Sequence, residues 1–207
     1  MRVIAVANTK GGAGKTTVAT HLAAYFARQG ASVGLADLDK QRCADGWIAR
    51  RPADLPRIRA VDLPDDPRDL SKKVDVLVID VPAGAKRERT EALVLVSHAI
   101  VVPVMPSAFD EAGTVRFLER LADLRPVKKG KREVVTVGNR VRPRTRAASR
   151  LVTFLDEQRF PPVAMLRDAA VYAEAAALGV SLFDLPARRA GAALADWAPL
   201  VAALADG

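Results

Sequence analysis

The sequence predicts one α/β domain over residues 1–207, with a mostly parallel β-sheet flanked by helices on both faces. Short apolar runs typical of buried strands alternate along the whole chain with segments whose apolar residues recur every three or four positions. The length of 207 residues suits one sizeable α/β domain and is short for two. The expected strands lie near residues 2–8, 32–37, 74–80, 99–104, 134–138 and 163–166.

Helical periodicity is clearest in two segments between these strands. The stretch from Thr16 to Gln29 carries one apolar face, and Gly30 after it is a typical helix stop. A comparable apolar stripe runs from Asp110 to Leu124. Residues 52–69 are rich in proline and charge, so we expect irregular surface there. The last segment, 195–207, has no lysine or arginine and is expected to form a helix that docks on the core.

The composition limits the classes of function. Lysine and arginine exceed aspartate and glutamate by eight, which favours a polyanionic partner or else indicates a basic protein from an arginine-rich proteome. The single cysteine, Cys43, cannot form an internal disulfide, which suits a reducing cytoplasm. No secretory leader is visible, and no apolar run approaches the roughly 20 residues that span a bilayer. We therefore expect a cytoplasmic protein without a membrane partner.

A glycine-rich loop follows the first expected strand. The run Lys10-Gly11-Gly12-Ala13-Gly14-Lys15-Thr16-Thr17 joins that strand to a helix N-terminus, so its backbone N–H groups and the helix dipole can cradle phosphate. Lys15 can reach β- and γ-phosphates, and the Thr16 hydroxyl can bind Mg²⁺. A standard phosphate loop has glycine at the position of Thr9. Here Thr9 is followed by Lys10, a second cation that one bound nucleotide does not need.

The string KGGAGKTT resembles the deviant Walker A motif of the ParA/MinD superfamily of P-loop ATPases. In that family the first lysine contacts the nucleotide held by the other protomer of a dimer. The resemblance therefore implies ATP-dependent homodimerisation with Lys10 acting in trans. It also implies that ATP is bound by the loop residues Lys10, Gly11, Gly12, Ala13, Gly14, Lys15, Thr16 and Thr17.

Two acidic elements occur in the order that the family has them. After the apolar run 32–36, Asp39 matches the residue that positions the hydrolytic water, and Asp37 matches a supporting carboxylate near the metal. Lys40 stands where the family commonly has proline. Asp80, at the end of the run 74–80, matches the Walker B acid. The resemblance thus implies Lys10, Lys15 and Asp39 as catalytic residues and Thr16, Asp37 and Asp80 around Mg²⁺.

The similarity extends over essentially the whole chain, mainly as an order of strands and helices. Residues 81–84 match a switch loop. The pair Asn139-Arg140 follows the strand near 134–138, where an asparagine in the family often contacts adenine. The short length is close to that of small plasmid-partition members such as ParF.

Five arginines within eleven residues form a basic cluster. Pro143 excludes a helix in the first part, so we expect the first three on a loop and the last two on one helix face. Arginine suits phosphate oxygens, and no base-reading motif is evident, which favours non-specific DNA over a solvated loop. The cluster consists of Arg140, Arg142, Arg144, Arg146 and Arg150.

These features together predict a ParA-like ATPase of plasmid or chromosome partition. It would dimerise with ATP, associate with nucleoid DNA and hydrolyse ATP slowly until stimulated by a centromere-binding or cargo-adaptor protein. The alternatives are a family member that positions chemosensory arrays, carboxysomes or division inhibitors, a filament-forming relative, and a biosynthetic ligase of the dethiobiotin-synthetase kind. A MinD-like membrane role is disfavoured because the C-terminal segment is not basic.

Overall fold

Parallel strands form one continuous sheet in the computed structural model, which describes residues 1–70 and 73–206. In chain order the strands are β1 (Arg2–Val6), β2 (Val33–Asp37), β3 (Ile58–Ala60), β4 (Val76–Asp80), β5 (Ala99–Val104), β6 (Glu133–Val141) and β7 (Pro162–Arg167). Their spatial order is β3-β2-β4-β1-β5-β6-β7, and every neighbouring pair is parallel. The predicted sheet is confirmed.

Helices connect the strands and cover both faces of the sheet. They are α1 (Lys15–Arg28), α2 (Cys43–Arg50), α3 (Arg87–Val96), α4 (Ala108–Asp123), α5 (Arg125–Lys128), α6 (Arg146–Asp156), α7 (Val171–Ala177), α8 (Ala187–Ala195) and α9 (Ala198–Asp206). In the described part of the chain no helix combines the length and the apolar character needed to cross a membrane.

The central strand β1 packs against a separate apolar cluster on each face of the sheet. Ile4 and Val6 face a cluster that includes α1 and α9, whereas Val3 and Ala5 face a second cluster that includes α3 and α4. Successive side chains of a strand point to opposite faces, so a strand covered on both sides must be apolar throughout. This explains the unbroken apolar runs in the sequence.

The C-terminal helix docks on the core, as predicted. Trp197, immediately before α9, is fully buried and donates its Nε1–H to the Tyr172 hydroxyl at 2.9 Å. The ring of His21, on α1, stacks on Trp197 with centroids 5.0 Å apart. Burial lowers the pKa of His21 to about 4, so the imidazole is neutral and serves packing.

Helix α2 is anchored to the segment that follows α7. The guanidinium of Arg51 binds both carboxylate oxygens of Asp184, at 2.9 and 3.1 Å, and neither side chain has appreciable exposure. Trp47 donates its Nε1–H to the Val180 carbonyl at 3.2 Å. A buried bidentate ion pair fixes orientation. The C-terminal half of α2 is therefore held in place by the rest of the fold.

Two expectations about the elements were wrong. Residues 52–69 are not wholly irregular, because they contain the edge strand β3, where Ile58 is buried and Arg59 is exposed. A three-residue strand is too short to show alternation. Strand β6 does not end near residue 138 but extends to Val141, so Arg140 lies in a strand rather than on a loop. Its register with β7 is irregular there, and Arg140 has a positive φ of 51°.

Candidate functional site

The predicted site lies where the order of strands changes direction. The chain passes from β1 to β2 on one side and later to β5 on the other, which leaves a crevice at the carboxyl ends of the strands. Asp37 and Asp80 are register partners at the ends of β2 and β4, and Val6 of β1 pairs with Asp80. The sheet thus brings both acids next to the loop that leaves β1.

The glycine-rich loop has the backbone shape of a phosphate cradle. Gly12 and Gly14 have φ values of 77° and 83°, a conformation that residues with a Cβ rarely adopt. No atom lies within 4 Å of where a Cβ would stand at Gly11 or Gly12, so the mouth of the loop is open. Helix α1 begins at Lys15, and its free N–H groups point toward this opening.

Two asparagines hold the loop at its ends. The amide of Asn8 donates from Nδ2 to the Pro103 carbonyl at 2.8 Å, and its Oδ1 accepts the Lys10 N–H at 3.3 Å. Asn139 donates from Nδ2 to the Ala13 carbonyl at 2.7 Å. A Cβ at Gly14 would overlap the Asn139 amide. Asn8 was not predicted; the only signal was a polar residue directly after an apolar strand.

Lys15 lies across the loop with little exposure. Its Nζ donates to the Lys10 carbonyl at 2.9 Å, and burial lowers its pKa although Asp80 and Asp39 act in the opposite direction. A partly desolvated ammonium interacts strongly with an anion, because little water screens it. Lys15 is thus placed to neutralise a phosphate group held by the loop.

Thr16 and Asp80 meet at the base of the loop. The Thr16 hydroxyl donates to Asp80 Oδ2 at 2.6 Å. Burial raises the pKa of Asp80 to about 6, while the hydrogen bond from Thr16 and the charge of Lys15 act to lower it. Hydroxyl and carboxylate oxygens suit Mg²⁺, which takes one or two protein ligands and completes its shell with phosphate and water. Among the side chains that the structure describes, no three His, Cys, Asp or Glu residues form a metal-binding group.

Asp37 holds the loop that carries Asp39. Its Oδ1 accepts the Asp39 N–H at 2.9 Å, and its Oδ2 accepts the N–H groups of Ala44 at 2.7 Å and Asp45 at 3.3 Å. The carboxylate predicted to support the metal therefore caps α2 in this structure. Asp39 is half-exposed above the loop and accepts the Gln41 N–H at 3.0 Å.

Asn139 and Arg140 border a cavity beside the glycine-rich loop. This cavity of ≈ 270 Å³ is also lined by Thr17 on α1, and by Arg167 and Tyr172. The predicted pair is thus next to the nucleotide-binding loop, but the Asn139 amide nitrogen is already bonded to Ala13. Arg167 and Tyr172 were not predicted, because they reach the site only through the fold of β7 and α7.

All five arginines of the cluster are exposed, on the end of β6, the turn after it and α6. Arg142 pairs with Asp168 at 3.0 Å, and Arg150 pairs with Glu111 at 2.8 Å. Thr145 caps α6 by accepting the Ala148 N–H, which sets the helix that carries Arg146 and Arg150. Arg140, Arg144 and Arg146 are exposed, and no ion pair joins them to any side chain that the structure describes.

Comparisons with known proteins agree with this geometry. A family model described as the CobQ/CobB/MinD/ParA nucleotide binding domain matches residues 4–177. The maintenance of carboxysome distribution protein A of Halothiobacillus neapolitanus is 31% identical over 198 residues, which cover 92% of this chain and 90% of that protein.

Solved structures show the same fold at low identity. Apo McdA of Cyanthece superposes with a TM-score of 0.78, at 17% identity and 99% coverage of each chain. A protein of Borrelia burgdorferi B31 assigned to plasmid partition and bound to AMPPNP gives 0.73, at 14% identity, with 97% of this chain and 98% of that chain covered.

The buried acid predicts a pH-dependent stability. Between about pH 4 and pH 6 folded Asp80 keeps a proton that the unfolded chain has released, so stability falls as the pH rises through this range. Asp80→Asn removes this cost and still offers an oxygen to Thr16. We expect the variant to be more stable than wild type at pH 7.5 by about 2 to 3 kcal/mol, and by less at pH 4.5, in urea unfolding without Mg²⁺ or nucleotide.

Asp75 serves as the control, because folding lowers its pKa whereas it raises that of Asp80. Hydrogen bonds from Ser32 lower the pKa of Asp75, so Asp75→Asn should lower stability at pH 7.5. Equal stability of wild type and Asp80→Asn at both pH values would contradict the assignment of Asp80 as a desolvated carboxyl.

Proposed function

The chain belongs to the CobQ/CobB/MinD/ParA family of nucleotide-binding domains, and we propose that it is a ParA-like ATPase that dimerises with ATP and positions a cellular cargo. One observation carries the proposal: the two lysines of the loop have different destinations. Lys15 turns inward and binds the Lys10 carbonyl, whereas the Lys10 side chain leaves the loop and runs over α4. The phosphates bound by one protomer are thus contacted by Lys15 of that protomer, and Lys10 can contact a nucleotide bound by another protomer.

Within one protomer, the loop and the acids divide the work on ATP. The backbone N–H groups of the loop and the Lys15 ammonium hold the β- and γ-phosphates, and Thr16 and Asp80 hold Mg²⁺, Asp80 acting through water. When bound, Mg²⁺ neutralises charge that develops on the phosphates. The Thr16 hydroxyl could offer an oxygen lone pair to the ion while its O–H still donates to Asp80 at 2.6 Å. Asp37 as a further metal neighbour remains a prediction.

Hydrolysis requires a positioned water and charge from a second protomer. Asp39 stands half-exposed on a loop that Asp37 and α2 hold in shape, which suits a carboxylate that orients water at the γ-phosphate. The Lys10 ammonium approaches the phosphates of the facing protomer. The flexible Lys40 in place of proline leaves this loop less rigid, which fits slow turnover until a partner protein stimulates it.

The cargo is proposed from the relatives. Similarity to the carboxysome distribution protein extends over 92% of this chain, and this favours a protein assembly as cargo, with an adaptor protein between cargo and ATPase. Plasmid or chromosome partition is the second candidate, supported by the fold shared with the Borrelia partition protein. If DNA together with a candidate cargo adaptor stimulates ATP turnover, and DNA together with a centromere-binding protein does not, the result favours a protein assembly as the cargo.

The exposed arginine cluster supports non-specific DNA binding and association with the nucleoid. Its side chains emerge from β6, the following turn and α6, so a dimer presents the surface twice. Release of counterions from DNA then supplies affinity without base recognition. Arg140 stands between this surface and the cavity beside the loop, which links the DNA-binding proposal to nucleotide occupancy.

The proposed role of Lys10 predicts a selective loss. Lys10→Ala should keep ATP binding, because Lys15 and the loop backbone are intact, but it should lose the ATP-dependent dimer. Light scattering with ATP measures the dimer, and a fluorescent ATP analogue measures binding. Lys129→Ala, at the opposite end of the sheet, is the matched control and should dimerise normally. A normal ATP-dependent dimer of Lys10→Ala would refute action in trans.

The DNA surface predicts a salt-dependent, ATP-dependent affinity. In an Asp39→Ala background, which should trap the ATP dimer, replacing Arg144 and Arg146 by glutamine should weaken DNA binding. It should also lower the slope of log affinity against log salt by about one for each lost phosphate contact. Replacing Lys129 and Lys131 removes the same charge at the other end of the sheet and should change little. Equal losses from both pairs would contradict a specific surface.

A further inference from the structure

Gly113 of helix α4 lies directly beneath the Lys10 side chain. A Cβ at Gly113 would lie 2.6 Å from Lys10 Cε, 3.4 Å from Cδ and 3.5 Å from Cγ. Three successive methylenes of Lys10 therefore run along the helix backbone at this point. Glycine is unfavourable in a helix interior, but here its missing side chain leaves the space that Lys10 occupies.

The backbone of Lys10 is fixed close to the same turn of α4. Asn8 accepts the Lys10 N–H through Oδ1 and donates from Nδ2 to Pro103, and fully buried Thr114 lies 3.5 Å from the same nitrogen. The Lys10 carbonyl accepts from Lys15. With its backbone held on both sides, Lys10 can change the place of its ammonium only by rotating its side chain.

We propose that Gly113 is a docking position that keeps Lys10 against its own protomer until ATP brings a second protomer. The inference rests on the proposed role of Lys10 in trans and adds a step to it: the side chain must leave α4 before its ammonium can approach the facing nucleotide. Only molecules in which Lys10 is undocked can then dimerise, so the apparent affinity between protomers equals the intrinsic affinity multiplied by the undocked fraction. The residue at position 113 thereby sets how much ATP is needed for dimerisation.

Adding a methyl group at position 113 tests the docking of Lys10 without changing any other residue of the site. The atom nearest to it, Cε, is close to the end of a flexible side chain, so Gly113→Ala should displace Lys10 rather than the helix. No residue of the phosphate loop is changed. Gly46→Ala in α2 is the matched control, since it also adds a methyl group to a helix, and its nearest atom is the mobile Arg50 guanidinium at 3.4 Å.

Docking is tested first without nucleotide. Lysine acetylation by a small N-hydroxysuccinimide ester, followed by mass spectrometry, measures the reactivity of Lys10 relative to Lys129 in the same molecule. We expect Lys10 to react several-fold faster in Gly113→Ala than in wild type and in Gly46→Ala. Equal rates in all three proteins would overturn the docking position. Gly113→Ser is the second variant, and a thermal melt verifies that each protein folds.

The consequence for assembly is tested with ATP. In the Asp39→Ala background, Gly113→Ala should lower the ATP concentration for half-maximal dimerisation, and Gly46→Ala should not. An unchanged or higher ATP requirement would overturn the claim that docking opposes assembly. If Lys10→Ala itself dimerises normally, the role in trans fails, yet faster acetylation in Gly113→Ala would still show that Lys10 docks there. The two failures are therefore distinguishable.

Discussion

The site depends on a loop whose two ends are held by long-range hydrogen bonds. Eight residues separate the end of β1 from the start of α1, and their backbone must present N–H groups inward without a regular partner structure. At the first end, Asn8 of the loop donates to the carbonyl of Pro103 on β5. At the second end, the carbonyl of Ala13 accepts from Asn139 on β6. The left-handed conformation of Gly14 brings it against the Asn139 amide, where a side chain would overlap. The strands β5 and β6, which carry the two partners, thereby set the shape of the loop.

Folding places two charged groups of the site, Lys15 and Asp80, where their charged forms are unfavourable before any ligand binds. Lys15 and Asp80 are both buried at the end of the sheet, and burial disfavours the charged form of each, lowering one pKa and raising the other. Phosphate opposite Lys15 and a divalent cation opposite Asp80 would restore the charge that folding opposes. The free energy of unfolding that is lost to desolvation is thus recovered on binding, which couples nucleotide and metal to the stability of this face.

The sequence predicted those parts of the fold that repeat a local pattern. Parallel strands buried on both faces give unbroken apolar runs, and an acid at the end of such a run lies at the carboxyl edge of the sheet. The resemblance to the family then placed Thr16 and Asp80 together, and the structure joins them by a hydrogen bond. The bond of Asn139 to Ala13 and the passage of Lys10 over Gly113 join residues about a hundred or more positions apart, and no local pattern encodes them. The edge strand β3 and the extension of β6 to Val141 were not predicted, because β3 is only three residues long and the pairing of β6 with β7 is irregular.

The central claim, that each active site takes a lysine from the other protomer, is tested most directly by mixing two inactive proteins. Lys10→Ala lacks the lysine that it would give, and Asp39→Ala lacks the carboxylate that orients water. In a mixed dimer the nucleotide of the Lys10→Ala protomer meets its own Asp39 and Lys10 from the Asp39→Ala protomer. The account predicts that ATP hydrolysis, absent in each protein alone, appears on mixing. A mixture as inactive as its components, with mixed dimers demonstrated by cross-linking, would contradict it.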